Sequence, residues 1–411
     1  MADLTLLIYD LLLKYNFIVG WVSVRRWGTP GKVMSLEGAG EGDAGWTAGV
    51  TPPDLVYLAV MNLIQLRVVD SRVEATDTVT IVLEPVDGGV LEYRAGQFLT
   101  FLFVLNGREL RRSYSFSSTP GIDRLPSVTV KRVVNGEVSR YLIDHLKVGD
   151  IVTCLPPSGK FLLEEGERTQ VFVAAGSGMT PVYSLIREAL YHRPAGKVVL
   201  ITQNRDSRSV LFRSSLEELV RLFPSRLRWL SLLSAPGKAG TSLEGGHAGV
   251  ARLNNALLVE LLDSMKIWSS DSRAFFYLCG PPGFMRMAVF TLRLLGVPDQ
   301  EIKRENFVVE YVPPPPVLRD TSPREVVLHA EGKVMRFKTH WPSTILQSAL
   351  DNGIALPYSC KGGRCGTCAA RCISGKVRMS INDVLMERDL AEGLVLTCVG
   401  YAETDVELVL E

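Results

Sequence analysis

Pro357-Tyr358-Ser359-Cys360-Lys361-Gly362-Gly363-Arg364-Cys365-Gly366-Thr367-Cys368 is answered, thirty residues further on, by Cys398. Cysteines at C-x4-C-x2-C with a distant fourth have the spacing by which four thiolates hold a [2Fe-2S] cluster. The neighbours suit that task. Gly362, Gly363 and Gly366 let a tight loop close around a small inorganic core, because glycine enters φ > 0 freely and leaves backbone N–H groups pointing at sulfur. Hydrogen bonds to sulfur tune the potential of such a cluster.

Two other uses of clustered cysteine compete. Structural zinc is usually held by two C-x2-4-C pairs, whereas one short pair is joined here to single cysteines at longer range. A disulfide framework is disfavoured by sparse usage, seven cysteines in 411 residues with no signal peptide ahead of them, which fits a reducing compartment and an expected cytoplasmic location. The segment closely resembles plant-type ferredoxins, including the Ser before the first Cys and the Cys365-Gly366-Thr367-Cys368 turn. That resemblance implies Cys360, Cys365, Cys368 and Cys398 as the ligands and leaves Cys372 a bystander.

Upstream of the loop, VVLHAEG and KVMRFKTH read as a hairpin. Pro342-Ser343-Thr344 then starts a helix, ILQSALDNG, that Gly353 ends. This order matches the α+β β-grasp fold of a ferredoxin domain, expected over 324–411. Before it, Val312-Pro313-Pro314-Pro315-Pro316 breaks all periodicity. Consecutive prolines make a stiff spacer rising about 3.1 Å per residue, so 312–323 reads as a linker between domains.

Residues 165–311 alternate strand and helix. VFVAAGSGMTP leads into PVYSLIREALYH, VVLITQN into SRSVLFRSSLEELVRLF, LRWLSLLS into RLNNALLVELLD, and AFFYLCGPP into GFMRMAVFTLRLLG. Such alternation predicts an α/β parallel sheet with helices on both faces. Gly176-Ser177-Gly178-Met179-Thr180-Pro181 lies between strand and helix, where a pyrophosphate can meet a helix N-terminus, although Pro181 stands where a third Gly would complete the dinucleotide fingerprint. A proline in the first turn is also simply a favourable helix start.

Residues 61–164 carry short β runs instead: LIQLRVVD, TVTIVLEP, GQFLTFLFVL, RRSYSFSS, SVTVKRVV and DIVTCLPP. With turns at Asp87-Gly88-Gly89 and Asn135-Gly136, they predict an antiparallel barrel or sandwich. Arg112-Ser113-Tyr114-Ser115 sits inside it. Gly136-Glu137-Val138-Ser139 opens a short helix, expected over Ser139 to Leu146, that offers N-terminal amides to an anion.

The pairing of those two motifs is similar to the flavin domain of the ferredoxin-NADP reductase superfamily. The resemblance implies that Arg112 meets the FAD pyrophosphate, Tyr114 packs on the isoalloxazine, Ser115 hydrogen-bonds near N5, and Gly136 and Ser139 cradle phosphates. Ser113 and Lys131 join the same cofactor-binding set. It further implies that Gly176, Gly178, Thr180 and Pro181 bind NAD(P)H beside Cys279-Gly280-Pro281. Thr180 and Cys279 would then border the hydride path, while Glu305 and Phe307 close the flavin site.

At the end of the second strand of that domain stand Asn204, Arg205, Ser207 and Arg208, with Asp206 the one carboxylate. Paired guanidinium groups favour a 2′-phosphate and therefore NADPH over NADH.

The order barrel, nucleotide domain, spacer and ferredoxin resembles the reductase subunits of phenylacetyl-CoA epoxidase and related oxygenases over about 350 residues. It implies electron flow from NAD(P)H through FAD and [2Fe-2S] to a partner oxygenase, hydroxylase or desaturase. Nicotinamide delivers two electrons together and the cluster accepts one, so flavin must stand between. Two other readings keep the same residues: a stand-alone flavin or quinone reductase or redox sensor, and a non-catalytic metal-binding interaction protein.

Balanced charge, 45 Lys and Arg against 44 Asp and Glu, opposes a general nucleic-acid-binding surface. No G-x-S-x-G elbow is present and the five histidines form no constellation, so hydrolase chemistry lacks support. The first sixty residues fall outside the resemblance. Leu4 to Val24 are apolar but interrupted by Asp10 and Lys14, which suits a helix packed on protein or lying in a lipid interface better than a span. Gly28 to Pro53 read as a flexible linker.

Overall fold

Apolar side chains at every second position build the first layer. β1 (Ile64–Ala75), β2 (Thr78–Pro85), β3 (Phe98–Leu105), β4 (Arg108–Ser115), β5 (Ser127–Lys131) and β6 (Ile151–Ser158) form an antiparallel sheet in the order β4-β3-β6-β1-β2-β5. Just beyond β4, Phe116 bridges Val128 of β5 and joins the two edges into a barrel. Leu66, Val68, Ile81, Leu83, Leu99 and Phe101 fill its interior, and α1 (Glu137–Asp144) adds Val138 and Leu142 to the same core. The helix begins two residues earlier than its expected start.

The computed structural model describes residues 63–105, 108–235, 247–267, 274–307, 316, 320–330 and 332–410, all within a compact unit running from Gly49 to Glu411. The segment Leu4 to Val24, the Gly-rich stretch 28–53 and the run Val312 to Pro315 lie outside the described residues. Among the described residues no helix is long and apolar enough to cross a membrane.

The second layer is a six-stranded sheet, all parallel: β7 (Thr169–Ala175), β8 (Val198–Asn204), β9 (Leu227–Leu233), β10 (His247–Val250), β11 (Ala274–Cys279) and β12 (Ile302–Glu305). Its order is β10-β9-β8-β7-β11-β12. Helices α2 (Met179–His192), α3 (Arg213–Leu222), α4 (Asn255–Ser264) and α5 (Pro282–Leu294) cover two separate apolar cores. The strands are near-continuous apolar runs because such a sheet is buried on both faces. Strand order reverses between β7 and β11, and open α/β sheets bind ligands beyond the carboxyl ends at such a reversal.

Two details depart from expectation. The run from Ser207 to Phe223 is no single helix: the Asp206 carboxylate captures the amides of Arg208 and Ser209 in a 3-10 turn, and Phe212, at φ 55°, resets the chain before α3. Two four-residue strands, β10 and β12, extend the sheet at its edges. They are too short to leave a periodic signal.

The third sheet has the order β14-β13-β19-β15-β17, from β13 (Arg324–Ala330), β14 (Lys333–Thr339), β15 (Ala369–Ser374), β17 (Leu394–Leu396) and β19 (Val406–Val409). A small ribbon pairs β16 (Val377–Met379) with β18 (Gly400–Ala402). The hairpin β13–β14 is antiparallel, β13 runs parallel to β19, and α6 (Ile345–Asp351) packs Ile345, Leu346 and Ala349 into the core. Thr344 caps α6 by accepting from Gln347 N, and a short α7 (Glu387–Ala391) precedes β17. This is the expected β-grasp arrangement.

The three layers meet around Glu164, in the segment joining barrel to parallel sheet. Its carboxylate pairs with Lys303 of β12, its amide donates to Tyr277 Oη at 2.8 Å, and Arg193 donates to its carbonyl. Arg388 of α7 approaches the same carboxylate at 4.0 Å, Met386 Sδ lies 3.5 Å from Lys303 Nζ, and Asp389 pairs with Lys160 at 3.4 Å.

Trp229 is 2% exposed and its Nε1 donates to Thr202 Oγ1 at 3.0 Å, tying β9 to β8. Trp229→Ala is expected to destabilise the parallel-sheet domain by about 3–5 kcal/mol. Trp229→Phe should cost about 1–3 kcal/mol, because it strands a buried hydroxyl. Denaturant titration followed by tryptophan fluorescence and circular dichroism checks both.

Candidate redox site

Sheet register explains how a cysteine thirty residues away returns to the loop. β15 pairs antiparallel with β17, Ala369 opposite Leu396, so Cys368 just before one strand lies beside Thr397 and Cys398 just after the other. Thr397 donates to Cys368 O through both its amide and its hydroxyl, each at 3.1 Å. The loop needs glycine at Gly363: φ is +70°, and a Cβ there would stand 2.9 Å from Ile381 O and Ile381 Cγ2.

The four sulfurs form a connected group. Cys360 is within hydrogen-bonding reach of Cys365 and Cys398, and Cys398 of Cys368. The amides of Gly362 and Arg364 donate to Cys360 Sγ at 3.4 and 3.5 Å. The Cys365 and Cys398 thiols donating to it, followed by those amides, pull the Cys360 thiol down to about 2. Cys398 is pushed up, because it gives its proton to Cys360 and Cys368. Four soft donors strung in pairs, with amides aimed at sulfur, fit a two-iron rhomb. Cys372 stands apart, half-buried on β15 with its thiol donating to Ser374 O.

On the barrel side, β4 alternates its residues. Arg112 and Tyr114 lie on one face, Arg111, Ser113 and Ser115 on the other. Tyr114 packs edge-on to Phe101 with ring centroids 5.6 Å apart, and burial pushes its phenol up, so it stays neutral. Arg112 is exposed and uses one Nη1 donor on Arg111 O. Its remaining fork is the kind that binds phosphate bidentately. Ser115 is buried. The Ser139 hydroxyl closes its own turn, accepting from Val133 N at 3.1 Å and donating to Gly136 O at 3.3 Å, and Gly136 has no room for a Cβ. These two residues shape the start of α1, which has no side-chain cap and so leaves first-turn amides for an anion.

On the nucleotide side the two loops at the strand reversal abut. A Cβ on Gly178 would lie 2.2 Å from Cys279 O, and one on Gly280 would lie 3.1 Å from Ala175 Cβ. Gly176 has φ +56°, and Lys131 Nζ of the barrel lies 3.6 Å from the position of its missing Cβ. Thr180 and Pro181 occupy the first turn of α2, again without a side-chain cap, and Pro281 precedes Pro282 at the start of α5. Cys279 sits in register between Ala174 and Glu305. Its thiol is raised by burial and then by the charge of Glu305. Burial, and next the charge of Cys360, push Glu305 up to about 8. Phe307 is 43% exposed beside this edge of the sheet.

Arg205 and Arg208 are exposed past the end of β8. Asp206 spends one carboxylate oxygen on the amides of Arg208 and Ser209, both at 3.0 Å.

Sequence reasoning missed the junction between ferredoxin loop and barrel. Ser113 Oγ is 2.6 Å from Ser359 Oγ, Thr100 Oγ1 is 2.9 Å from Ser113 Oγ and 3.4 Å from Ser359 Oγ, and Arg111 Nη1 donates to Tyr358 O at 2.9 Å. With its hydroxyl so engaged, any cofactor contact by Ser113 falls to its main chain. The only available signal was the position of Ser359 beside a ligand and of Arg111 beside the R-x-Y-S motif.

Barrel, doubly wound sheet and cysteine loop together define a flavin- and nicotinamide-dependent oxidoreductase that carries its own iron–sulfur domain. Family models agree along the chain: an oxidoreductase FAD-binding domain matches residues 65–162, an oxidoreductase NAD-binding domain 172–289, and a 2Fe-2S iron-sulfur cluster binding domain 328–403. The ferredoxin reductase component of 3-ketosteroid-9-alpha-monooxygenase from Mycobacterium tuberculosis is 36% identical over 84% of this chain and 94% of its own length. One subunit of the 1,2-phenylacetyl-CoA epoxidase from Escherichia coli is 34% identical over 81% and 93%. Among solved structures, phthalate dioxygenase reductase, a modular protein passing electrons from pyridine nucleotides to [2Fe-2S], shares the fold at TM-score 0.52 and 24% identity, covering 88% of this chain and all of that one. The chain belongs to the family of FAD- and [2Fe-2S]-containing ferredoxin reductase components of oxygenase systems.

Two outcomes follow from this geometry. Gly178→Val should force the β7 and β11 loops apart and abolish NAD(P)H-driven flavin reduction while FAD and iron content hold, as stopped-flow absorbance and metal analysis would show. Glu305 has a folded-state pKa raised from 4.5 to about 8, so the folded protein holds an extra proton between those values. Stability from this group is therefore complete below the lower value and lost as pH rises through the window. Thermal melts from pH 5 to 9 should show a shallower decline for Glu305→Gln than for the parent.

Proposed function

We propose that this chain is the NADPH-preferring reductase component of a two-component oxygenase, taking hydride from NADPH and passing single electrons to a separate oxygenase, hydroxylase or desaturase. The observation that carries the reading is the 2.6 Å contact of Ser113 with Ser359, which puts the residue before the first cluster ligand next to the residue before Tyr114. Its relatives' names supply the partner class: a ketosteroid monooxygenase in one case, an epoxidase in another.

When bound, FAD would supply the chemistry that converts a nicotinamide's electron pair into single electrons for an iron–sulfur cluster. The chain's own residues bind and orient. Arg112, with the first-turn amides of α1 and the turn set by Gly136 and Ser139, holds the flavin pyrophosphate. Tyr114 presents a neutral aromatic face to the isoalloxazine, and Ser115 offers a hydroxyl near N5. Lys131, Gly176, Gly178, Thr180 and Pro181 hold the nicotinamide nucleotide's phosphates at the helix start, while Cys279, Gly280 and Pro281 border the nicotinamide. Glu305, protonated below about 8, and Phe307 close the site against water. No strong base is required.

Arg205 and Arg208 take the 2′-phosphate. The commitment of Asp206 to its own turn supports that choice, because a carboxylate capping local amides is poorly placed to accept from a ribose 2′-hydroxyl. The sparse cysteine usage supports a cytoplasmic location.

Replacing Arg205 and Arg208 together by Ala should raise the KM for NADPH by about tenfold or more and leave that for NADH near its starting value, since a charge-assisted phosphate pair is lost in one case only. Equal change for both coenzymes overturns the NADPH assignment. Cys365→Ser should keep NADPH–ferricyanide activity and lose NADPH–cytochrome c activity. Survival of both rejects delivery through the cluster.

A further inference from the structure

Arg111 is a charged residue only 9% exposed, on the opposite face of β4 from Arg112 and Tyr114. Its guanidinium carbon lies 3.8 Å from the centre of the Tyr358 ring, and its Nη1 donates to Tyr358 O. One side chain thus grips both the ring and the main chain of a residue in another domain. Lys361 Nζ also meets that ring, 4.5 Å from its centre. Tyr358 stands two residues ahead of the cluster ligand Cys360, and Ser359 between them is bonded to Ser113.

We infer that Arg111 is a positioning residue for electron transfer: by clamping Tyr358 it fixes where the first cluster ligand rests against the flavin strand. The inference rests on the electron path proposed above. Single-electron transfer falls steeply with the gap between donor and acceptor, so a contact that pins the ligand loop to β4 governs the rate without touching either redox group. Arginine suits this role because a planar guanidinium can stack on an aromatic face while its edge donors reach a carbonyl, whereas an ammonium offers a point charge. Other contacts near the junction include the neutral hydroxyls of Ser113, Ser359 and Thr100 and the partly exposed ion pair of Lys160 with Asp389, each of modest worth. The Arg111 contact joins a buried cation to both the ring and the main chain of the ligand loop.

The test uses the full chain with FAD and cluster loaded, comparing parent, Arg111→Ala, Arg111→Lys, Tyr358→Ala and Tyr358→Phe. FAD, iron and sulfide content and the rate of flavin reduction by NADPH should match the parent in all. Arg111→Ala and Tyr358→Ala should each slow flavin-to-cluster transfer, followed by stopped-flow absorbance, by about tenfold or more. Tyr358→Phe should retain the parent rate, because ring and carbonyl both survive, and Arg111→Lys should recover it only in part. The double Ala variant should be no slower than either single one, as expected for two residues acting through one contact. Hydrogen exchange of the peptide spanning 355–364 should quicken in Arg111→Ala. Unchanged transfer and exchange in Arg111→Ala overturns the assignment, as does loss of the cluster or additive effects in the double variant. If the parent itself passes no electrons to cytochrome c, the electron path fails and not this contact alone.

Discussion

The close approach of two backbones at the carboxyl end of the parallel sheet constrains most of the site. Where β7 and β11 end, Gly178 lies against Cys279 with no space for even a methyl group. That contact places the starts of α2 and α5 side by side, while the pairing of β11 with β12 sets Cys279 in register with Glu305. The barrel then supplies Lys131 from across the junction, and the ferredoxin loop brings Cys360 near enough for its charge to be felt by Glu305. Three domains thus address one small volume, and each does so with backbone geometry more than with reactive side chains. That economy suits a protein whose carriers perform the chemistry while it controls distance and order.

Much of this was legible in the sequence, for physical reasons that differ by region. The cysteine loop was readable because ligand spacing, glycine content and a distant partner are all fixed by the size of the inorganic core. Strand runs in the barrel and the sheet were readable because burial on one face or on two leaves a pattern over seven or eight residues. β10 and β12 were not, since four residues carry too little pattern. The helix expected from Ser207 failed at Asp206 and Phe212: a local cap and a left-handed residue override a run of good helix formers.

Side-chain roles divided in the same way. Gly178, Thr180, Cys279 and Glu305 gather at the carboxyl ends of neighbouring strands because sheet topology brings them there, and topology follows from the order of elements. Ser113 and Ser139 stand in motifs that point to a cofactor, yet one hydroxyl bonds across a domain junction and the other closes its own turn. Arg111 was invisible, because its partner Tyr358 lies 247 residues away and no local pattern joins the two. Contacts between domains have no periodicity, so a single sequence leaves them unmarked.

Glu164 gives the molecule a practical boundary. One residue in the segment between barrel and parallel sheet pairs with Lys303, accepts from Arg193 through its carbonyl and faces Arg388 of the ferredoxin fold. Anyone grafting a different iron–sulfur module onto this flavoprotein must therefore match more than the length of the proline tether: a donor module lacking a cation and a thioether where Arg388 and Met386 stand leaves a half-buried carboxylate facing a foreign surface. The domains can be exchanged as units only together with the corner that each contributes to this shared joint.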